Sequence, residues 1–172
     1  FFYYKTIFNM KYLTFLLFLL GGFLNHAEGQ TIQDYGTYVS TLLNSGDPNQ
    51  ILEGQRVQNY STGLYPSTYF SEKGINTVGA KRSKKLISDI GSLDLTGYDD
   101  ATMQDVEMIV VLVRKVDQIG SGQISQELRS KMPNLKNIVI IAEFPSVPSQ
   151  FTTILPPASS GYVALHKVSI TE

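Results

Sequence analysis

MIVVLVRKVDQIGSGQISQELRSKMPNLKNIVIIA, residues 108–142, contains two β-branched apolar runs on either side of a more polar segment. Met108–Val113 is almost continuously apolar, which is typical of a strand buried on both faces. Ile138–Ile141 is a second such run, and the segment between them has apolar residues at helical spacing and a proline, Pro133, that ends the helix. A strand, a helix and a strand at this spacing form a βαβ unit, so we expect two parallel neighbouring strands.

The first run has an alternative interpretation as a helix. One helical face would hold the apolar residues at five spaced positions, which are Met103, Val106, Val110, Val113 and Val116. The four consecutive apolar residues at 109–112 would leave that helix without a polar side. The strand is therefore favoured.

The fold class follows from this unit. We expect one small α/β (or α+β) domain, with a mixed sheet that contains a parallel βαβ unit at about residues 107–143 and with helices packed on the sheet. Upstream, apolar residues from Tyr35 to Leu43 recur with the period of an amphipathic helix that Asp34 could cap.

The remaining segments have weaker patterns. Glycine and proline interrupt residues 51–79, where we expect one or two short strands joined by loops. Four prolines among serines and threonines predict that residues 144–160 run extended over the surface. Residues 162–170 alternate and predict a last strand at an edge of the sheet.

One short segment of the sequence resembles part of a known repeat. Met132-Pro133-Asn134-Leu135, followed by Ile138 and Ile140, is similar to the residues that lead into the strand of a leucine-rich repeat. The asparagine expected after such a strand is replaced by Ala142-Glu143, and the apolar runs along the chain have no fixed period. The resemblance covers about one repeat and implies, as an alternative fold, a short curved leucine-rich-repeat-like solenoid, without implying a function.

The amino end has the features of a secretory signal peptide at residues 10–29. Lys11 is the positive residue, Leu13–Leu20 is the apolar region, and Ala27 and Gly29 are the small residues before a cleavage site at Gln30. Residues 1–9 precede the first methionine and are interpreted as an upstream, non-native extension. We expect residues 30–172 to form a single secreted domain, periplasmic or extracellular, without a transmembrane anchor after cleavage.

Composition excludes several classes of site. The chain has no cysteine and a formal net charge of −1, so it offers no thiolate chemistry and no general attraction to nucleic acid. No glycine-rich phosphate loop and no histidine pair is found, and neither a cofactor nor a metal is predicted. His166, the histidine that remains after cleavage, has no partner recognisable in the sequence and is interpreted as a structural residue.

Acidic residues cluster before the first strand of the βαβ unit. Asp99 or Asp100 with Glu107 could serve as the acid and base of a glycosidase-like hydrolase, in which two carboxylates face each other. Asp94, Asp99 and Asp100 could instead offer oxygen ligands to calcium, although their spacing differs from that of an EF-hand. Helix capping explains the same residues individually.

Aromatic residues crowd one segment, which holds Tyr60, Tyr65, Tyr69 and Phe70. Tyrosine combines apolar area with a hydroxyl and is common in contact surfaces. The sequence therefore favours an exported, non-catalytic binding or assembly module that engages a protein or glycan partner in the cell envelope or outside the cell. The alternative is the secreted carboxylate-dependent hydrolase.

Overall fold

The computed structural model describes residues 31–63, 65–71, 74–79, 82–93, 100–156 and 161–170. The predicted extension and leader, residues 1–29, lie outside these ranges. Asp94 and Asp99 do so as well, and only the backbone of Asp100 is described.

Seven strands form one sheet in the described part of the chain. Their bounds are β1 Ile32–Asp34, β2 Ser67–Ser71, β3 Gly74–Val78, β4 Lys85–Asp89, β5 Met108–Val113, β6 Asn137–Ala142 and β7 Val163–Val168. They lie in the order β1-β7-β6-β5-β4-β2-β3, and every neighbouring pair is parallel except β2 and β3.

The described residues also form helices. The α-helices are α1 Tyr35–Leu43, α2 Pro48–Thr62, α3 Asp100–Met103 and α4 Gln126–Ser130, and 3-10 helices span Ile90–Ser92, Val116–Gln118 and Pro148–Ile154. Side chains cap three of the α-helices: Asp34 accepts from the Thr37 N–H, Asp47 from the Asn49 N–H and Ser125 from the Leu128 N–H. These bonds satisfy amide donors that a helix leaves unpaired in its first turn.

The predicted βαβ unit is confirmed. β5 and β6 pair in parallel, with Ile109 opposite Ile138 and Val111 opposite Ile140, and α4 lies in the connection between them. The protein is thus a single α/β domain with a mixed, mostly parallel sheet.

Both faces of the sheet are covered. Because side chains alternate along a strand, Ile109 and Val111 join one core with Phe151 and the connections that follow β4, β5 and β6. Val110 joins a second core on the other face with residues of α1 and α2, among them Val57. The structure is therefore an open sheet between two layers rather than the leucine-rich-repeat-like solenoid, since helices cover the face that a solenoid leaves open.

The expectation of short strands is wrong for residues 51–62, which belong to the 15-residue helix α2. Its buried residues are Gly54, Val57 and Tyr60, a stripe too narrow to produce a helical period in the sequence. Gly54 permits close packing, because a Cβ at that position would lie 3.0 Å from the Leu42 Cβ of α1. Farther along, β2 and β3 confirm the predicted strands.

Two expectations about the carboxyl-terminal part are also wrong. Residues 148–154 form a 3-10 helix instead of an extended surface segment, and Phe151 and Ile154 on it are fully buried. β7 is the predicted last strand, but it lies between β6 and β1 rather than at an edge. The three-residue β1 covers it, and a strand so short gives no periodic signal.

Candidate functional site

The aromatic segment divides between core and surface. Tyr60 on α2 and Phe70 on β2 are buried, 8% and 7% exposed, whereas Tyr65 and Tyr69 are 40% and 41% exposed. The Tyr60 ring meets the Tyr65 ring edge-on at a centroid distance of 4.7 Å. A contact surface built from this segment therefore presents Tyr65 and Tyr69, with Tyr60 supporting Tyr65 from below.

Among the described strands, β3 is the terminal strand of the sheet, next to β2, which carries Tyr69. Every residue of β3 is exposed, and Ile75 and Val78 are each 53% exposed. Tyr69 lies opposite Asn76 and Ser67 opposite Val78, so Tyr69 and Val78 are on the same face. The strand GINTV contains neither a charge nor a proline, which are the residues that usually prevent an edge strand from pairing.

Glu107 is the member of the proposed hydrolase pair whose side chain the structure describes. Two lysine side chains bind its carboxylate. It precedes β5 and accepts from Lys84 Nζ at 2.7 Å and from Lys136 Nζ at 3.2 Å. Burial raises the pKa of Glu107, but the two lysine hydrogen bonds outweigh it and leave the pKa below its ordinary value. Glu107 is therefore a carboxylate at neutral pH and the centre of an ion network.

That network joins α2 to the amino ends of the strands. Arg56 bonds Glu53 through Nε at 2.8 Å, donates to the buried Asn137 side chain, and lies 3.6 Å from Glu107. Lys85 is also buried and donates to the Gly63 carbonyl at 3.2 Å. These contacts fix α2 on the sheet, and they give a structural role to Arg56, Lys84, Lys85 and Lys136.

The metal and carboxylate hypotheses depend on residues that are not described. Asp94 and Asp99 lie outside the described ranges, and the side chain of Asp100 does too. Within the described ranges, no group of three or more histidine, aspartate and glutamate side chains could hold a metal ion. The calcium site and the carboxylate pair stay predictions.

A second constellation, which the sequence analysis missed, lies at the carboxyl ends of β1, β6 and β7. His166 on β7 is 2% exposed, and its Nε2 lies 3.0 Å from the hydroxyl of Ser146, in the loop after β6. The Phe151 ring stacks on the imidazole at 5.0 Å. Asp34 is opposite His166 in the register of β1 and β7. His166 therefore has a serine neighbour and an acidic neighbour that come from distant parts of the sequence.

Burial lowers the pKa of His166 below its ordinary value, and the nearby negative charge of Asp34 only partly offsets this effect. The imidazole is consequently neutral at physiological pH. A neutral imidazole can accept a proton at Nε2 when the other ring nitrogen carries one.

Charged side chains line the same end of the sheet at the neighbouring strands. Arg114, after β5, bonds Asp89 of β4 at 3.1 Å and Glu143, after β6, at 3.0 Å. The carboxyl edge thus carries an ion triad next to the Ser146–His166 pair.

Comparison with known proteins identifies no relative: no family model matches the chain, and neither a curated protein nor a solved structure matches it. In the described part of the chain, no helix has the length and apolar character needed to cross a membrane.

Proposed function

We propose that this protein is an exported binding module that takes up an extended segment of a partner polypeptide along β3. The observation that carries the proposal is an edge strand: among the described residues, β3 ends the sheet, is exposed at every position and has no charge or proline. A partner strand would pair with the backbone groups on the outer side of β3 and so extend the sheet.

The side chains on and beside β3 would determine which partner sequences bind. Tyr69 and Val78 offer apolar area on one face, and Ile75 offers it on the other. In strand addition, alternate side chains of the partner contact the two faces. The preferred segment would therefore have apolar residues at alternate positions on both faces and no proline at a pairing position.

A protein partner suits this surface better than a glycan. Sugar binding requires polar side chains arranged around an aromatic ring, whereas two of the large exposed residues here, Ile75 and Val78, are aliphatic and belong to the edge strand. Exposed apolar area of this kind is typical of sites for protein partners.

Export is part of the same proposal. The pattern of residues 10–29 supports delivery to the periplasm or the extracellular space, where the domain would meet its partner. The absence of cysteine is compatible with export because a domain of this size can be stable without disulfides.

The test is selection of peptides from a phage-displayed random dodecapeptide library on the purified domain. We expect enrichment of sequences with alternating β-branched or aromatic residues. The affinity of a selected peptide, measured by fluorescence anisotropy, should fall about tenfold or more in Val78→Lys and in Tyr69→Ala. Hydrogen exchange of the β3 amides should slow when the peptide is bound.

Val116→Lys is the matched control, since Val116 is 61% exposed and lies outside the β2–β3 edge. It should bind the peptide as the unmodified domain does. The proposal fails if no peptide is enriched, or if Val78→Lys leaves the affinity unchanged. Binding on a glycan array that depends on Tyr65 and Tyr69 but not on Val78 would overturn it in favour of a sugar ligand.

A further inference from the structure

In a parallel α/β sheet, ligands most often bind at the carboxyl ends of the strands. Here the carboxyl ends of β1, β6 and β7 lie side by side. The chain leaves β1 toward α1 on one face of the sheet, and it leaves β6 toward the 3-10 helix Pro148–Ile154 on the other. In open α/β sheets, ligands bind at the carboxyl edge where connections diverge to opposite faces. His166 of β7 lies between the two strands, and Ser146 lies in the connection that follows β6.

We propose that Ser146 is a nucleophile, activated by His166, that hydrolyses small carboxylic esters. The hydroxyl of Ser146 is within 3.0 Å of His166 Nε2, which is the contact that a serine nucleophile needs with its base. The same hydroxyl lies within donating distance of the Phe144 carbonyl, at 3.2 Å, so it must turn its proton from that carbonyl to Nε2 before it attacks. The assignment is independent of peptide binding at β3, because β7 and β3 are separated by four intervening strands in the sheet.

The surroundings hold the base in one orientation. Phe151, fully buried, stacks on the imidazole with ring planes 25° apart. Ser146 itself is only half-buried. The adjacent Pro145 and Val147 are exposed, and they form an open apolar surface that suits a short acyl chain.

Asp34 acts through His166 and is a positioning residue. Its negative charge favours the imidazolium that forms when Ser146 loses its proton. The carboxylate also accepts from the Thr37 N–H at 2.7 Å, which fixes it at the start of α1. The charge next to the base therefore stays in place during the reaction.

The reaction proceeds in two halves. Ser146 Oγ attacks the ester carbonyl carbon and its proton passes to His166 Nε2, and the proton then goes to the departing alcohol as the ester C–O bond breaks. Water next attacks the acyl-serine and gives a proton to His166. That proton returns to Ser146 Oγ as the carboxylic acid leaves, so no oxidant or cofactor is consumed.

The test is covalent labelling of the full domain with a biotinylated fluorophosphonate, mapped by mass spectrometry, together with p-nitrophenyl acetate hydrolysis. We expect label on Ser146. Hydrolysis should fall about 100-fold or more in Ser146→Ala and in His166→Gln. Ser149→Ala changes an exposed serine of the 3-10 helix Pro148–Ile154, which follows Ser146, and should keep the label and the rate.

The pH profile separates catalysis from packing. The rate should rise with pH through a midpoint below the ordinary histidine pKa of about 6.5, as His166 loses its proton. Asp34→Asn keeps the helix cap and should move that midpoint lower, since it removes the charge that stabilises imidazolium. Circular dichroism should show that each variant is folded.

The inference is overturned if Ser146 stays unlabelled in the folded protein, or if Ser146→Ala hydrolyses the ester as fast as the original. An unchanged midpoint in Asp34→Asn would remove the positioning role of Asp34. None of these results bears on peptide binding at β3, so the two proposals fail separately.

Discussion

The neutral state of His166 is a property of its immediate neighbours. Phe151 and the sheet exclude water from the imidazole, and this exclusion disfavours the charged form. Asp34 favours it, but the net pKa remains below the ordinary value. Because of this shift, the free energy of unfolding depends on pH in the range where histidine titrates.

We therefore predict that the domain loses stability as the pH falls from about 7.5 to about 5.5. In the unfolded chain, His166 binds a proton near its ordinary pKa, whereas the native environment resists protonation. The stabilisation is complete above the unfolded pKa and declines as the pH falls through it toward the lower native value. Urea unfolding at the two pH values measures the change.

His166→Gln is the comparison for this prediction, because glutamine does not titrate. The difference between the two pH values should be smaller in the variant than in the original domain. Asp34, Glu53 and Glu107 have lowered pKa values and act at more acidic pH. An equal pH dependence in both proteins would show that His166 is protonated as readily when folded as when unfolded.

At the scale of elements, the connection from β5 to β6 crosses the turn that follows β4 at very short range. A Cβ at Gly122 would lie 2.0 Å from the Ile90 carbonyl oxygen, closer than any real contact allows. Ile124 then donates to the Ile154 carbonyl at 2.8 Å, which ties the same connection to the 3-10 helix 148–154. The connections that follow β4, β5 and β6 therefore contact one another on one face of the sheet. The close contact between the first two requires glycine at position 122.

We predict that Gly122→Ala destabilises the domain by about 1 to 3 kcal/mol, since backbone must shift to admit the methyl group. Gly91→Ala is the control, because a Cβ at Gly91 meets nothing within 4 Å. It should change stability by no more than about 0.5 kcal/mol. Urea unfolding of both variants gives the comparison, and equal losses would show that the close approach to Ile90 is not the reason for glycine at 122.

At the scale of the whole molecule, the two proposed surfaces lie far apart. In the described sheet, β3 is one end, while β7 lies next to the other end. Five steps between neighbouring strands separate them by about 24 Å, given a spacing of about 4.8 Å. A partner bound along β3 would leave the carboxyl ends of β1, β6 and β7 open.

Export is the prediction at this scale. Expressed from Met10 in secreting insect cells, the protein should reach the medium with Gln30 as its first residue, because a signal peptidase would cut after Ala27-Glu28-Gly29. Intact-mass spectrometry and amino-terminal sequencing measure this. Replacing Leu16 and Leu17 with arginine interrupts the apolar region and should keep the protein inside the cell. A secreted product that retains residues 10–29 would contradict cleavage.

The sequence by itself determined the central βαβ unit, because continuous β-branched runs specify strands buried on both faces wherever they lie in a sheet. It also indicated α1, whose apolar stripe and Asp34 cap are local features. The sequence also indicated the aromatic cluster of candidate contact residues. It did not indicate which of them are exposed: Tyr65 and Tyr69 are exposed, whereas Tyr60 and Phe70 are buried.

Only the tertiary structure decided the order of the strands, the helical state of residues 48–62 and the meeting of Ser146 with His166. α2 buries only a narrow stripe of side chains. Its stability therefore comes from tertiary contacts, such as the packing of Gly54 against Leu42 and the hydrogen bond from Arg56 to Asn137, rather than from an apolar period in its sequence. Ser146 and His166 belong to different elements, and Asp34 is distant from both in the sequence. Their proximity depends on how β1 and β6 pair on either side of β7, a choice made by packing over the whole sheet that no local period encodes.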